Sequence, residues 1–261
     1  MSQLVDLPQG QLAVIIYEPT DYRGDAVLIH GFTGSKEDFD FIAPLLAERG
    51  YRTFTFDNRG QHESPHTDVS LYSISALAQD ALDLARHFKL DRPHLFGHSL
   101  GGVFAQRTLL LAPNEFRSLS LFCTGPAAKP NPDWALEVKE KLTGKTMQEA
   151  WDSFAEEMYA EHPRKDLMKK RWLAHDPRYI IAQAEVLATF TSVIPEIAAT
   201  KVPVHVVYGE NDDAWPLSMQ NQMAKDLNAP VTIIKDAGHC PNEDQPDMTA
   251  KVLANFWDSI Q

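Results

Sequence analysis

Cysteine is scarce in this chain, with two residues, Cys123 and Cys240, among 261. Two cysteines build no disulfide framework, and neither lies in a C-x-x-C pair. Cys123 ends the apolar run "SLSLFC" and is expected to be a buried thiol. Positive charge is also in short supply. Lys plus Arg number 24 against 36 Asp plus Glu, a formal charge of −12. Such a surface repels phosphate backbones and anionic lipid, so neither nucleic acid nor a membrane surface is an expected partner. No apolar run approaches the ~18 residues needed to span a bilayer. The opening "MSQLVDLPQGQLAVIIYEP" has no basic n-region and no long apolar h-region, so it does not read as a signal peptide. A cytoplasmic protein is expected. Repeats and low-complexity segments are absent as well.

What is present is an ordinary globular composition, 44% apolar and 23% charged. The length suffices for one α/β domain, with or without an insertion. Short β-rich runs, at 12–17, 26–30, 52–57, 93–98, 118–123, 204–209 and 231–235, alternate with amphipathic stretches. Ser35 is placed to cap a helix carrying Phe41, Ile42, Leu45 and Leu46. A second helix is expected from Ser73 to Phe88, and a last one from Asp247, with Val252, Phe256 and Ile260 on one face. Near-continuous apolar strands between helices predict a mostly parallel, doubly wound sheet covered on both faces.

The alternation stops between 127 and 200. This stretch opens on the turn-rich "GPAAKPNPDW" and contains helical patterns but no strand. Thr146 and Glu149 have capping-box spacing ahead of a stripe of Met147, Trp151, Phe154 and Met158. Asp176-Pro177 forms an N-cap and N1 pair. The expected organisation is a core of 1–126 and 201–261 with a helical cap inserted at 127–200. Extra helical layers are the alternative.

Within "LFGHSLGG", Ser99 sits in G-x-S-x-G, between an apolar run and the helical "GVFAQRTLLLA". That context is what a nucleophile elbow needs. The turn is sharp, and Gly97 and Gly101 relieve crowding beside the serine. A helix N-terminus then faces the hydroxyl, and the Leu100 N–H is positioned for a developing oxyanion. A serine hydroxyl needs a base. In this chain order an acid follows and a histidine comes last. Asp212 follows the strand "VHVVYG" by three residues, with Asp213 beside it as the alternative acid. His239 lies in "DAGHCP" after the strand "VTIIK". Both loops would leave the sheet edge where parallel sheets bind ligands. Of ten histidines only His239 has both the order and the loop. His205 reads as a satisfied core residue, and His98 is expected to point away from the site. The second oxyanion donor is assigned to the Phe32 N–H in the glycine-bearing "HGFTGSKEDF".

"HGFTGS", "DNRGQHES", "GHSLGG" and the "GEND" and "GH" loops together resemble the α/β-hydrolase superfamily, in particular its capped, serine-nucleophile, esterase-like members. The resemblance covers nearly the whole chain outside 127–200. It implies Ser99 as nucleophile, Asp212 as acid, His239 as base, and Phe32 and Leu100 as oxyanion donors. It implies a small-molecule ester-like substrate, an acyl-enzyme, and no cofactor or metal. Thioester, lactone or carbon–carbon hydrolysis and perhydrolysis are alternatives on the same three residues, and a non-enzymatic receptor is a further one. "HGFTGS" is also similar to the menaquinone-pathway lyases of this fold, which carry an arginine four residues after the serine, where this chain has Val103. Cap aromatics, including Trp134, Trp151, Phe154, Trp172 and Trp215, are candidates for a substrate pocket with Thr33 and His62.

"QHESPH" contains the H-E-x-x-H spacing of a zinc hydrolase, through His62, Glu63 and His66. Pro65 argues against the helix that spacing requires. The stretch instead matches the family's D-x-R-G-x-G-x-S loop, with His62 at a usual glycine position. His62 is expected either to line the mouth of the site or to be structural.

Overall fold

The alternation read from the sequence becomes one eight-stranded sheet in the computed structural model, which describes residues 1–128 and 133–260. The strands are β1 (Gln3–Leu7), β2 (Gly10–Tyr17), β3 (Gly24–Ile29), β4 (Tyr51–Phe56), β5 (His94–His98), β6 (Ser118–Phe122), β7 (Val204–Gly209) and β8 (Val231–Ile234). Their order across the sheet is β1-β2-β4-β3-β5-β6-β7-β8. β1 and β2 pair antiparallel, as do β2 and β4, and every later pair is parallel. β5 and β7 are buried at every position, as expected for strands covered on both faces. β1 had no counterpart in the sequence reading. It is an edge strand with three of five residues exposed, so its apolar signal is thin.

Before β6 the α-helices are α1 (Ala43–Glu48), α2 (Ile74–His87) and α3 (Leu100–Leu111). Ser73 caps α2 by accepting from the Ala76 N–H. Ser35 does not open the helix expected after it. It precedes a single 3-10 turn, Lys36–Phe39, and α1 starts separately with Pro44 in its first turn.

Between β6 and β7 the described residues form helices only: α4 (Asp133–Leu142), α5 (Met147–Ala150), α6 (Glu156–Met158), α7 (Lys165–Ala174), α8 (Pro177–Thr189) and α9 (Ile194–Thr200). Residues 129–132, part of the turn-rich opening of this stretch, lie outside the described residues. The Thr146–Glu149 capping box and the Asp176-Pro177 start both form. The apolar stripe does not run through. Residues Trp151–Ala155 form a π-turn, which advances the register by one residue. Trp151 is therefore fully buried while Met158 is 65% exposed. After β7 come α10 (Leu217–Asp226), α11 (Pro241–Asp244) and α12 (Pro246–Asp258), the last burying Leu253 and Trp257 against the sheet. Among the described residues no single helix is long and apolar enough to cross a membrane.

Candidate active site

Parallel pairing aligns the C-terminal ends of the central strands. Ile29 stands opposite both Phe56 and Gly97, so the loops after β3, β4 and β5 leave at one edge. Ser99 begins directly after β5 with φ 53° and ψ −119°, a conformation that costs an L-residue about 1–3 kcal/mol. Its surroundings fix it there. The Ser99 N–H donates to Phe122 O at 2.9 Å, and Thr124 Oγ1 donates to Ser99 O at 2.7 Å. The flanking glycines are obligatory on steric grounds. A Cβ on Gly97 would collide with the Gly101 carbonyl, and one on Gly101 with the Ile29 carbonyl. Leu100 is the first residue of α3, so its N–H has no intrahelical acceptor.

The loops after β7 and β8 are laced together. Glu210 N–H donates to Ile234 O and Asn211 N–H to Ala237 O, both at 2.9 Å, and Gly209 packs directly under the Gly238 carbonyl. Asp212 and His239 are thereby brought face to face. His239 Nδ1–H donates to Asp212 Oδ1 at 2.8 Å, and the Ser99 hydroxyl donates to His239 Nε2 at 3.0 Å. Asp212 is buried, and burial pushes its carboxyl up. The bonds from His239, Gln220 and the Ala214 N–H more than offset this and hold it below the ordinary range. Asp213 is exposed and makes none of these bonds.

His98 is not turned away from the site, as the sequence reading expected. Its Nε2–H donates to the His239 carbonyl at 2.8 Å, and its ring lies 5.0 Å from that of His239. Burial, then the neighbouring His239, lowers its pKa to about 4, so the ring is neutral. It holds the His239 backbone by that bond.

Ser99 and His239 open onto a cavity of about 310 Å³. Phe32, Trp134, Leu187 and Ala214 form an apolar wall, with the Phe32 and Trp134 rings edge to face at 5.1 Å. The backbone of Gly31, Phe32 and Thr33 also lines it, and Gly31 lies against Ser99 Cβ. Four of the five candidate aromatics are elsewhere. Trp151 is fully buried, stacked on Tyr159 at 5.9 Å. Phe154 packs on Trp172 and under Lys141. Trp215 fills the space over Gly125 and beside Phe190. Trp151, Phe154 and Trp172 point inward because the helices they sit on need a core of their own.

His62 is buried and is not among the residues that line the cavity. The backbone from Asn58 to Ser64 forms turns, not a helix, and His62 has φ 45°. Its ring approaches Glu37 at 3.7 Å, whereas His66 Nε2 pairs with Ala174 O at 2.9 Å. H-E-x-x-H is therefore not presented in metal-binding register. Nearby, the ammonium of buried Lys36 sits among Asp57 at 2.8 Å, Glu37 at 2.8 Å and Glu63 at 3.0 Å. An internal cation already neutralises those carboxylates.

The sequence reading missed the polar part of the lining, which contains Asp38, Tyr159, His162, Arg171, Asn242 and Glu243. Arg171 and Asp38 form a buried ion pair. His162 Nε2 lies 3.5 Å from Glu243. Asn242 and Glu243 follow His239 closely in "GHCPNE", and that proximity was the available signal. Asp38 and Arg171 are 133 residues apart, and no spacing rule joins them.

The sequence pattern of the Alpha/beta hydrolase family matches residues 26–252. A pimeloyl-[acyl-carrier protein] methyl ester esterase of Aeromonas hydrophila is 26% identical over 245 residues, 89% of this chain and 94% of that protein. A putative carbamate hydrolase of Pseudomonas syringae is 26% identical over 240 residues, covering 88% and 92%. Among solved structures, an esterase from Exiguobacterium antarcticum superposes with a TM-score of 0.84 at 19% identity, covering 99% of this chain and all of that one.

Proposed function

We propose, from the premise that this chain belongs to the alpha/beta hydrolase family, that it is a serine hydrolase cleaving a small or medium carboxylic ester through an acyl-enzyme. The observation that carries the reading is the unbroken hydrogen-bond chain from Asp212 through His239 to Ser99, at 2.8 and 3.0 Å, opening on a cavity. The named activities of two relatives, one a methyl ester esterase and the other a putative carbamate hydrolase, support hydrolysis as the reaction class, and the first supports an ester.

The chemistry follows from that chain. Asp212 accepts Nδ1–H and so leaves Nε2 as the free base. As Ser99 Oγ attacks the carbonyl carbon, its proton passes to Nε2, and the ionised Asp212 stabilises the imidazolium. The N–H groups of Phe32 and Leu100 receive the oxyanion. Each such donor is worth roughly 2.7–4 kcal/mol in the transition state. Collapse breaks the ester C–O bond, and the departing alcohol takes the proton from Nε2. Water then attacks the acyl-serine with the same base, releasing the acid and restoring Ser99. No metal or cofactor enters these steps. In this reading 1–126 and 201–261 are the catalytic core, and 127–200 is a cap that closes the substrate side of the cavity.

Hydrolysis of p-nitrophenyl acetate tests the proposal. The unsubstituted protein is expected to turn over, and Ser99→Ala to lose at least a thousandfold of kcat/KM. Equal turnover in the two would overturn it.

A further inference from the structure

We infer that His175, in the helical stretch between β6 and β7, is a positioning residue for the reaction: its ring holds the turn that carries the Phe32 N–H, one of the two proposed oxyanion donors. The role deepens the serine-hydrolase reading and rests on it.

His175 lies between α7 and α8 and is 1% exposed. Both of its ring nitrogens are engaged. The His62 N–H donates to Nδ1 at 3.2 Å, and Nε2 faces the Thr33 carbonyl at 3.2 Å. A backbone N–H can only donate and a carbonyl can only accept, so Nδ1 is the bare nitrogen and Nε2 carries the proton. Burial, with the Arg171 guanidinium nearby, lowers the pKa of the ring to about 3, so it stays neutral. Its neighbours anchor it. The Asp176 N–H donates to Gly60 O at 2.7 Å, and Ala174 O pairs with His66 Nε2 at 2.9 Å. The chain around His175 is thus fastened to the loop after β4, and the ring reaches from there to the loop after β3.

The bond to Thr33 acts on the oxyanion donor through two peptide planes. Among the described residues every peptide bond is trans, so the C=O and N–H of one unit point opposite ways. The Thr33 carbonyl, held by His175, shares its unit with the Gly34 N–H, which donates to Gly31 O at 3.2 Å. The Gly31 carbonyl shares its unit with the Phe32 N–H, so its direction sets that of the donor. Thr33 has φ 54°, a region that a β-branched residue enters only at a cost, so the turn needs an outside hold to keep its shape. His30 Nδ1–H bonds the Gly31 carbonyl as well, at 2.9 Å. Loss of the His175 bond therefore loosens the donor without removing it.

Two carboxamide variants divide the two bonds of the ring. Gln places an N–H near Nε2 and can keep the bond to Thr33. Asn places an oxygen near Nδ1 and can keep only the bond from His62. With p-nitrophenyl acetate, His175→Asn is expected to lower kcat by about ten- to a hundredfold, less than the ~10²–10³ for removing an oxyanion donor outright. KM is expected to stay within about threefold, because acylation and deacylation both pass through an oxyanion. Inhibition by 1,1,1-trifluoroheptan-2-one, whose adduct with Ser99 is an oxyanion, should weaken by a factor similar to the loss in kcat. His175→Gln is expected to recover both to within about threefold of the unsubstituted protein. A packing role alone would lower the melting temperature of both variants and leave kcat and inhibition unmoved. That result, or equal losses in the two variants, would overturn the role of His175. Histidine-selective 15N NMR of the unsubstituted protein decides the matter even if neither variant folds. A proton on His175 Nε2 is expected, and one on Nδ1 would overturn the role. Hydrolysis that persists in Ser99→Ala would bring down the hydrolase reading and the role together, whereas hydrolysis that needs Ser99 but is indifferent to His175→Asn would bring down the role alone.

Discussion

Replacing Asp212 by Asn probes the acid without changing its size, and the neighbouring bonds set the expected outcome. Asp212 Oδ1 accepts from His239 and from the Ala214 N–H at 3.0 Å, and Oδ2 accepts from Gln220 Nε2 at 2.9 Å. An Asn side chain has two orientations there. With its NH2 toward His239, it also meets the Ala214 N–H, a buried donor facing a donor, which costs about 1–3 kcal/mol. With its oxygen toward His239, its NH2 meets the Gln220 amide. Gln220 can turn, because its Oε1 has no partner, at the loss of a 3.3 Å bond to the Trp215 carbonyl. That loss is about 1 kcal/mol. The second orientation is favoured, and it keeps the productive tautomer. What disappears is the charge beside the imidazolium. Two unit charges 4 Å apart interact by ~4 kcal/mol at an intermediate dielectric, and the amide dipole retains part of this. We therefore expect kcat to fall by about 10²–10³, short of the ~10⁴ that accompanies a reversed tautomer. Burst kinetics with p-nitrophenyl acetate measure it, with Asp213→Asn as the control expected to stay within about twofold. A loss below tenfold for Asp212→Asn, or an equal loss for Asp213→Asn, would refute the assignment.

Gly101→Ala is expected to lower stability by about 1–3 kcal/mol, since its Cβ must displace the Ile29 carbonyl; chemical denaturation checks this. Trp134→Ala is expected to alter the ratio of acetate to octanoate hydrolysis. Phe154→Ala leaves that ratio unchanged, because only Trp134 of the two lines the cavity. Burial and the proximity of Asp38, against Arg164 and Arg171, raise the Glu243 carboxyl from 4.5 to about 7. The folded chain then keeps a proton that the unfolded chain releases, so stability is full below pH ~4.5 and is lost as pH rises to ~7. Glu243→Gln should remove that loss, and its melting temperature relative to the parent should climb between pH 5 and 8. A constant offset across that range would contradict it.

The sheet and the three side chains that meet, those of Ser99, His239 and Asp212, were legible because each has a local signature. G-x-S-x-G is read from steric need at Gly97 and Gly101, and Asp212 and His239 from their places after apolar strands. The edge strand Gln3–Leu7 was not, because only Val5 and Leu7 are buried. The π-turn at Trp151 was invisible to helical periodicity and redirected the aromatics that had been candidates for the pocket. The polar part of the lining was hidden for a different reason. Asp38 comes from the loop after β3, Arg171 from α7 and Asn242 from α11, and only the folded chain makes them neighbours. His98 was misjudged because a side chain beside an elbow was treated as lying on the far side of an ideal strand. The bond to the His239 carbonyl shows where the turn sends it.

The most direct measurement is acid-quenched peptide mapping of the protein during turnover of p-nitrophenyl acetate. The account predicts an acetyl group on Ser99 and none in Ser99→Ala. An acetyl group on Cys240, which lines the same cavity, or turnover with Ser99 unmodified, would contradict it.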